Sequence, residues 1–328
     1  MRSTPAGARL RAGKRLAVSG GGGRAGLLAV AALTMAAFAA NSLLNRAALT
    51  GGSIGALDFA ALRTVSGALC LLAVVAMRRR HGGGAAPGRA RRPIGEQLVG
   101  AGSLLGYMIG FSLAYLGLDA GAGALILFGA VQLTMFAGAA LGGARPPLRH
   151  WIGAVLALAG LAWLSWPQPG AALRLWPALE MAFAGVSWGI YSLAGRRAAD
   201  PLQTTASNFA LAAPLLLLAA AAAHLSGSEL WPGVEGLALA VVCGALTSGL
   251  GYAMWYSVLP RLAASTAGVL QLTAPVLAAL GGAVLLGEAF GLRLVIAAAL
   301  VLGGVGLTIA GPVRRRPRPQ RRSGSSGS

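Results

Sequence analysis

The chain has 328 residues, of which 56% are hydrophobic and only 11% charged, with mean hydropathy +0.70. A soluble domain carries about 25% charge to cover its surface, so these proportions exclude one. The net charge of +19 invites a nucleic-acid reading, but the arginines abut apolar runs, as the positive-inside bias of membrane proteins produces, and no nucleic-acid partner is expected.

Residues 1–25 are basic and glycine-rich and read as a disordered tail. The Gly21-Gly22-Gly23-Arg24-Ala25-Gly26 run fits GxGxxG in letters only, because no strand precedes it. About 20 apolar residues cross a bilayer, and on that rule the spans fall at 27–45, 58–77, 94–116, 120–142, 148–166, 176–195, 203–224, 235–257, 264–286 and 292–311. The basic segment 312–328 is a second tail. With both tails inside, 23 basic residues lie on the cytoplasmic side and only Arg46, Arg174 and Arg293 outside, which fixes the expected orientation. Arginine outnumbers lysine 26 to one amid abundant Ala and Gly, a GC-rich bacterial composition, so the expected location is a bacterial inner membrane.

The halves repeat. Residues 120–161 match 264–305 at an offset of 144, pairing Gly138 with Gly282, Gly143 with Gly287, Arg149 with Arg293 and Gly160 with Gly304. Five spans per half is an odd number, so the second half sits inverted against the first. The expected fold is therefore all-α integral membrane, ten transmembrane helices as two inverted five-helix repeats, 26–166 and 171–311. In such carriers the substrate binds near the midplane where the repeats meet.

No catalytic constellation appears, Cys70 and Cys243 lie apart in apolar runs, and His81, His150 and His224 are scattered. Neither an enzyme, a cofactor nor a metal site is expected. Polar and aromatic side chains at helical spacing say more. The first span carries Thr34, Phe38, Asn41 and Asn45; the third, Tyr107, Phe111 and Tyr115; the sixth, Glu180, Ala184, Ser187 and Tyr191; the eighth, Ser248, Tyr252, Trp255 and Tyr256. These stripes line a cavity or pack helices together. Gln132 and Gln271 lean towards a cavity, since an amide facing lipid is costly. Glu180 and Arg63 sit at similar depth near the outer side, either as a structural pair or snorkelling to the interface, or as a gate, proton carrier or substrate anchor. Pro275 frees a backbone carbonyl in mid-span. The Gly102, Gly106, Gly110 steps and the Gly185/Gly189 step favour close helix packing.

Ser265–Leu307, with Ala274-Pro275-Val276, Leu285-Leu286-Gly287-Glu288 and Gly303-Gly304-Val305, resembles the closing section of an EamA repeat, of the drug/metabolite transporter superfamily. Asp58-Phe59-Ala60-Ala61-Leu62-Arg63 resembles the start of its second helix, and Ser187-Trp188-Gly189-Ile190-Tyr191 the tryptophan-glycine step of its first. The first repeat departs from this pattern, with Val131 at the proline position and Ala144 at the glutamate position, so Glu288 is expected to be a cap or loop anchor. The resemblance implies a secondary transporter moving a small metabolite, amino acid or toxic compound by alternating access, with export the expected direction, with proton or ion coupling open, and as a monomer or homodimer in the bilayer. Its cavity would be lined by Tyr107, Gln132, Glu180, Trp188, Tyr191, Tyr252, Trp255, Gln271 and Asn41, with Arg63, Glu180 and Pro275 in gating. The alternative is a non-transporting polytopic protein, either a sensor or an enzyme of lipid-linked substrates.

Overall fold

The structure, a computed structural model, describes residues 22–50, 52–81, 93–118, 120–164, 174–227, 231–285 and 291–309. Every predicted span overlaps a helix: α1 Gly22–Thr50, α2 Ala56–Arg80, α3 Ile94–Ala114, α4 Ala120–Leu141, α5 Leu148–Leu164, α6 Leu175–Gly195 and α7 Pro201–Leu225. The eighth span is one rod, Val234–Arg261, made of α8 Val234–Val242, a π-helical stretch Cys243–Leu250, α9 Gly251–Val258 and a 3₁₀ turn Leu259–Arg261. The ninth is split into α10 Ala264–Gln271 and α11 Thr273–Leu285, and α12 Leu292–Ile309 follows. Among the described residues six rods are long and apolar enough to cross a membrane by length and composition, those of α1, α2, α3, α7, Val234–Arg261 and α12, while Leu125–Leu141, Leu148–Trp163 and Ala264–Ala278 are shorter apolar helices.

Local chemistry explains the ends. Asp200 caps α7, its Oδ1 accepting from Gln203 N at 3.2 Å, with Pro201 at the first helical position. Asp58 lies in the first turn of α2 and Arg78, Arg79 and Arg80 in its last, each opposing the nearby helix-dipole charge. Gly143 (φ +74) and Gly227 (φ +70) end α4 and α7 in the left-handed conformation that other residues resist. The first helix starts at Gly22, inside the segment expected to be tail. The break between α10 and α11 has a direct cause: Pro275 has no N–H to offer the carbonyl of Gln271, one turn earlier.

The burial pattern is that of a protein in lipid. Large apolar side chains such as Leu133, Val155, Leu179, Phe183, Leu215, Leu218, Val241 and Leu302 face outward, while Thr34, Asn41, Asn45, Arg63, Gln132, Asn208, Ser248 and Gln271 are buried. Hydroxyls of Thr34, Thr64, Thr134, Thr205 and Thr308 donate to the carbonyl four residues back, so none needs water. The main helix pairings are α5 with α12, α3 with α6, α2 with α7, α4 with α6, α2 with the π-helical stretch, α1 with α11, α3 with α7, and α10 with α4. Glycines set these distances. A Cβ on Gly106 or Gly110 would meet Ser187, Phe183 and the Glu180 carbonyl of α6, and one on Gly185 or Gly189 would meet α4. Gly102 is the exception to the predicted packing steps, since a Cβ there meets nothing within 4 Å.

Candidate functional site

The stripes converge. Phe38 of α1 stands edge-on to Trp188 (5.4 Å between centroids), Tyr252 (5.7 Å) and Trp255 (5.8 Å). Tyr107 of α3 lies 4.9 Å from Trp188, and Trp188 lies 4.6 Å from Tyr252 and 5.3 Å from Tyr191. Trp188 Nε1 donates to Gln271 Oε1 at 2.5 Å, and Trp255 Nε1 to Ser192 Oγ at 3.0 Å. The carbonyl of Tyr191 accepts from the Tyr256 hydroxyl at 2.9 Å. One buried cluster thus gathers α1, α3, α6, α9 and α10, including Tyr107, Trp188, Tyr191, Tyr252, Trp255 and Gln271 from the sequence set. Gln132, 3% exposed on α4, faces α10 where a Cβ on Gly268 would touch its Oε1, and neither of its amide atoms has a protein partner.

Arg63 borders this cluster and is 0% exposed. Its Nη1 donates to Asn41 Oδ1 at 3.4 Å and its Nη2 to Met108 Sδ, while Nε has no partner. The guanidinium carbon lies 5.8 Å from the Phe59 ring centroid and 5.9 Å from those of Tyr107 and Phe111, within cation–π reach. Asn41 Oδ1 also receives Cys243 Sγ at 2.9 Å, Ser248 Oγ at 3.2 Å and Thr247 Oγ1 at 3.3 Å. Cys243, Thr247 and Ser248 all belong to the π-helical stretch, whose wide turn aims the three at one point; such turns recur at functional sites. Gly244 lets this stretch touch α2, since a Cβ there would strike the Arg63 carbonyl and Ser66 Oγ.

The structural pair, one of the readings open for Arg63 and Glu180, is not made. Arg63 turns towards Asn41, Met108 and the rings, whereas Glu180 is half-buried on α6. The reason is topological: α2 packs on α7 and the π-helical stretch, while α6 packs on α3 and α4. Similar depth in two spans does not make the spans neighbours. Pro275 lies outside the cluster, at the α10–α11 break, and Glu288 lies outside the described residues.

Two contacts escaped the sequence reading. Asp58 Oδ2 meets His224 Nε2 at 2.8 Å, and Arg78 holds both carboxylate oxygens of Asp200 at 3.2 and 2.5 Å. They join the antiparallel α2 and α7 at opposite ends. A recess of about 820 Å³ opens beside the ends of α3, α4, α5, α6 and α10, lined by Glu96, Arg145, His150, Arg196, Arg197 and Ser265 among others. His150 Nδ1 and Ser265 Oγ lie 2.6 Å apart there, joining α5 to α10. Burial lowers the proton affinity of the Arg196 guanidinium, whose Nη1 lacks a partner. Among the described residues no three His, Cys, Asp or Glu side chains gather to hold a metal.

Residues 175–310 match the EamA-like transporter family. An uncharacterized protein of Pseudomonas aeruginosa is 46% identical over 295 residues, spanning 89% of this chain and 97% of its own length. The threonine/homoserine exporter RhtA of Salmonella typhimurium is 31% identical over 194 residues, 58% of this chain and 63% of the exporter. A crystal structure superposes with TM-score 0.69 at 26% identity, covering 84% of this chain and 97% of its own. With its outward apolar surface and its buried polar centre, this chain is a multi-pass membrane transporter that belongs to the EamA-like transporter family.

Proposed function

We propose that the chain is a secondary carrier that exports a small metabolite of the amino-acid class, using ten transmembrane helices arranged as inverted repeats 26–166 and 171–311. The observation that carries this reading is the buried cluster, to which the first half contributes Phe38, Asn41, Arg63 and Tyr107 and the second Trp188, Tyr191, Tyr252 and Gln271. Aromatic faces with a few placed amides suit a small ligand that is partly apolar and partly polar. Glu180 and Pro275 act around this site, the first in the N-terminal part of α6 and the second at the break that lets α10 and α11 move separately.

The contacts favour the inverted repeat. At the 144 offset, the approach of Gly160 to Ala297 corresponds to that of Gly304 to Gly153, and both occur. Gly244 against α2 corresponds to Gly100 against α7, where a Cβ would meet Asn208. The pairing of α3 with α6 corresponds to α1 against the Val234–Arg261 rod, that of α4 with α6 to α1 with α11, and that of α2 with the π-helical stretch to α7 with α3. Arginine asymmetry makes the end bearing Arg78, Arg145 and Arg196 cytoplasmic, with both termini on that side of a bacterial inner membrane. The recess at that end would then be the route by which substrate enters from the cytoplasm. The sequence holds no GxxxxGK[ST] nucleotide loop, so coupling to a proton or ion gradient is the economical source of energy.

Two experiments test this. Overproduction should lower intracellular pools of one or more amino acids, raise them in the medium and confer resistance to toxic analogues; unchanged pools and sensitivity at confirmed membrane expression would overturn the export reading. Single cysteines at 82–86 should resist an impermeant thiol reagent added outside while those at 226–228 react; the reverse would invert the topology.

A further inference from the structure

We infer that Arg63, with Asn41 and the π-helical stretch, forms a binding centre for a single carboxylate, so that the transported molecule carries one. The inference rests on the carrier reading above and adds to it the group by which substrate is recognised and the residues that do so.

The chemistry around Arg63 is unbalanced. A fully buried guanidinium is a permanent charge with five N–H donors, and taking it out of water is costly unless a counter-charge meets it. No carboxylate among the described residues does so: its polar partners are all neutral, the Asn41 amide oxygen, the Met108 thioether, the Cys243 thiol and the Tyr107 hydroxyl, with aromatic faces around them. Acceptors are also too few. Asn41 Oδ1 has two lone pairs, yet Arg63 Nη1, Cys243 Sγ and Ser248 Oγ all point at it within 3.4 Å, with Thr247 Oγ1 also 3.3 Å away although its proton has the Cys243 carbonyl at 2.8 Å. Arg63 Nε stays unpartnered and the Tyr252 hydroxyl is buried close by. Helices from both halves bring these donors together: α1 and α2 from one, and the π-helical stretch and α9 from the other.

A carboxylate corrects both deficits. Its two oxygens offer about four lone-pair sites and match the guanidinium fork, and its single negative charge balances the Arg63 guanidinium, while the ammonium of an amino acid falls to the aromatic faces of the cluster by cation–π contact. A phosphate dianion would leave one uncompensated charge in the same low-dielectric surroundings. Asn41 now occupies the acceptor's place, so substrate binding is an exchange of one acceptor for another. That exchange loosens the contact between α1, α2 and the π-helical stretch, which gives the ligand a differential hold on the two arrangements of these helices, as alternating access requires. The rings of Phe38, Tyr107 and Trp188 then meet the rest of the molecule.

The test uses the purified full chain in detergent, following thermal unfolding with the tryptophan emission of Trp188 and Trp255 as a second readout. The probes are the twenty amino acids, their methyl esters, the corresponding amines that lack the carboxylate, and sodium acetate against sodium chloride. At least one free acid should stabilise the protein and bind at least about tenfold more tightly than its ester or amine, the difference a charge-assisted pair makes. Arg63→Gln should abolish that preference while leaving ester binding in place. Asn41→Asp is the second variant, because it supplies a carboxylate within the chain: it should fold with a raised unfolding temperature and bind no free acid. Acids, esters and amines binding alike, chloride stabilising as well as every acid, or an Asn41→Asp protein that still binds acids would each overturn the inference. If no probe binds at all, the carboxylate centre is refuted while export of some other metabolite stands or falls by the cellular pools.

Discussion

Replacing Gly244 by alanine tests how the Arg63 centre is built. A Cβ at this position would lie 2.8 Å from the Arg63 carbonyl carbon and closer still to the carbonyl oxygen and Ser66 Oγ, whereas ordinary contact begins at 3.4 Å. Backbone cannot swing aside as a side chain does, so α2 must retreat from the π-helical stretch by roughly 1 Å, an overpacking that costs about 1–3 kcal/mol. The same retreat carries Arg63 away from Cys243, Thr247 and Ser248, so transport should suffer with stability. Two glycines serve as internal controls. In Gly100→Ala the obstacle is the Asn208 side chain, at 2.7–3.0 Å, which can rotate, so the cost should stay below about 1.5 kcal/mol. In Gly102→Ala nothing lies within 4 Å, and better helix propensity should make the change neutral or stabilising by up to about 1 kcal/mol. Thermal unfolding of the three purified variants should rank Gly102→Ala above Gly100→Ala above Gly244→Ala. Equal unfolding temperatures for Gly244→Ala and Gly102→Ala would refute the argument.

Arg78→Ala should cost about 0.5–1 kcal/mol as a partly exposed pair, and Asp200→Ala roughly 1.5–2 kcal/mol because the α7 cap goes with it; a double-mutant cycle by thermal unfolding with no coupling would mean that the pair contributes nothing. Pro275→Ala gives the Gln271 carbonyl a donor again, so unfolding temperature should hold or rise while transport falls severalfold; unchanged transport would take the helix break out of the cycle. Trp188→Phe keeps the ring contacts and removes the hydrogen bond to Gln271, worth about 1 kcal/mol, and should raise KM about fivefold, with an unchanged KM contradicting a role in binding.

Apolar length and arginine placement made the helical segments legible, because lipid leaves a spanning chain few options. The stripes of α1, α3, α6 and the Val234–Arg261 rod were legible for the same reason: Asn41, Tyr107, Tyr191 and Tyr252 stand out in apolar sequence. Helical periodicity could not say which rods touch. It therefore set Arg63 against Glu180, although α6 packs on α3 and α4 rather than on α2. Nor could it foresee a π-helical turn that aims Cys243, Thr247 and Ser248 at one acceptor. The α2–α7 contacts had a usable signal, since Asp58 and Arg78 at the two ends of one helix complement His224 and Asp200 at the two ends of the other. Reading it required knowing that these helices lie antiparallel.

Counterflow in proteoliposomes is the most direct test of a carrier with its site where the two halves meet. Vesicles containing the purified protein and preloaded with unlabelled amino acids should accumulate the labelled counterpart of at least one of them, saturably, and a Trp188→Ala, Gln271→Ala double variant inserted to the same level should not. Uptake no greater than in protein-free vesicles across all twenty amino acids, or full uptake by the double variant, would contradict the account.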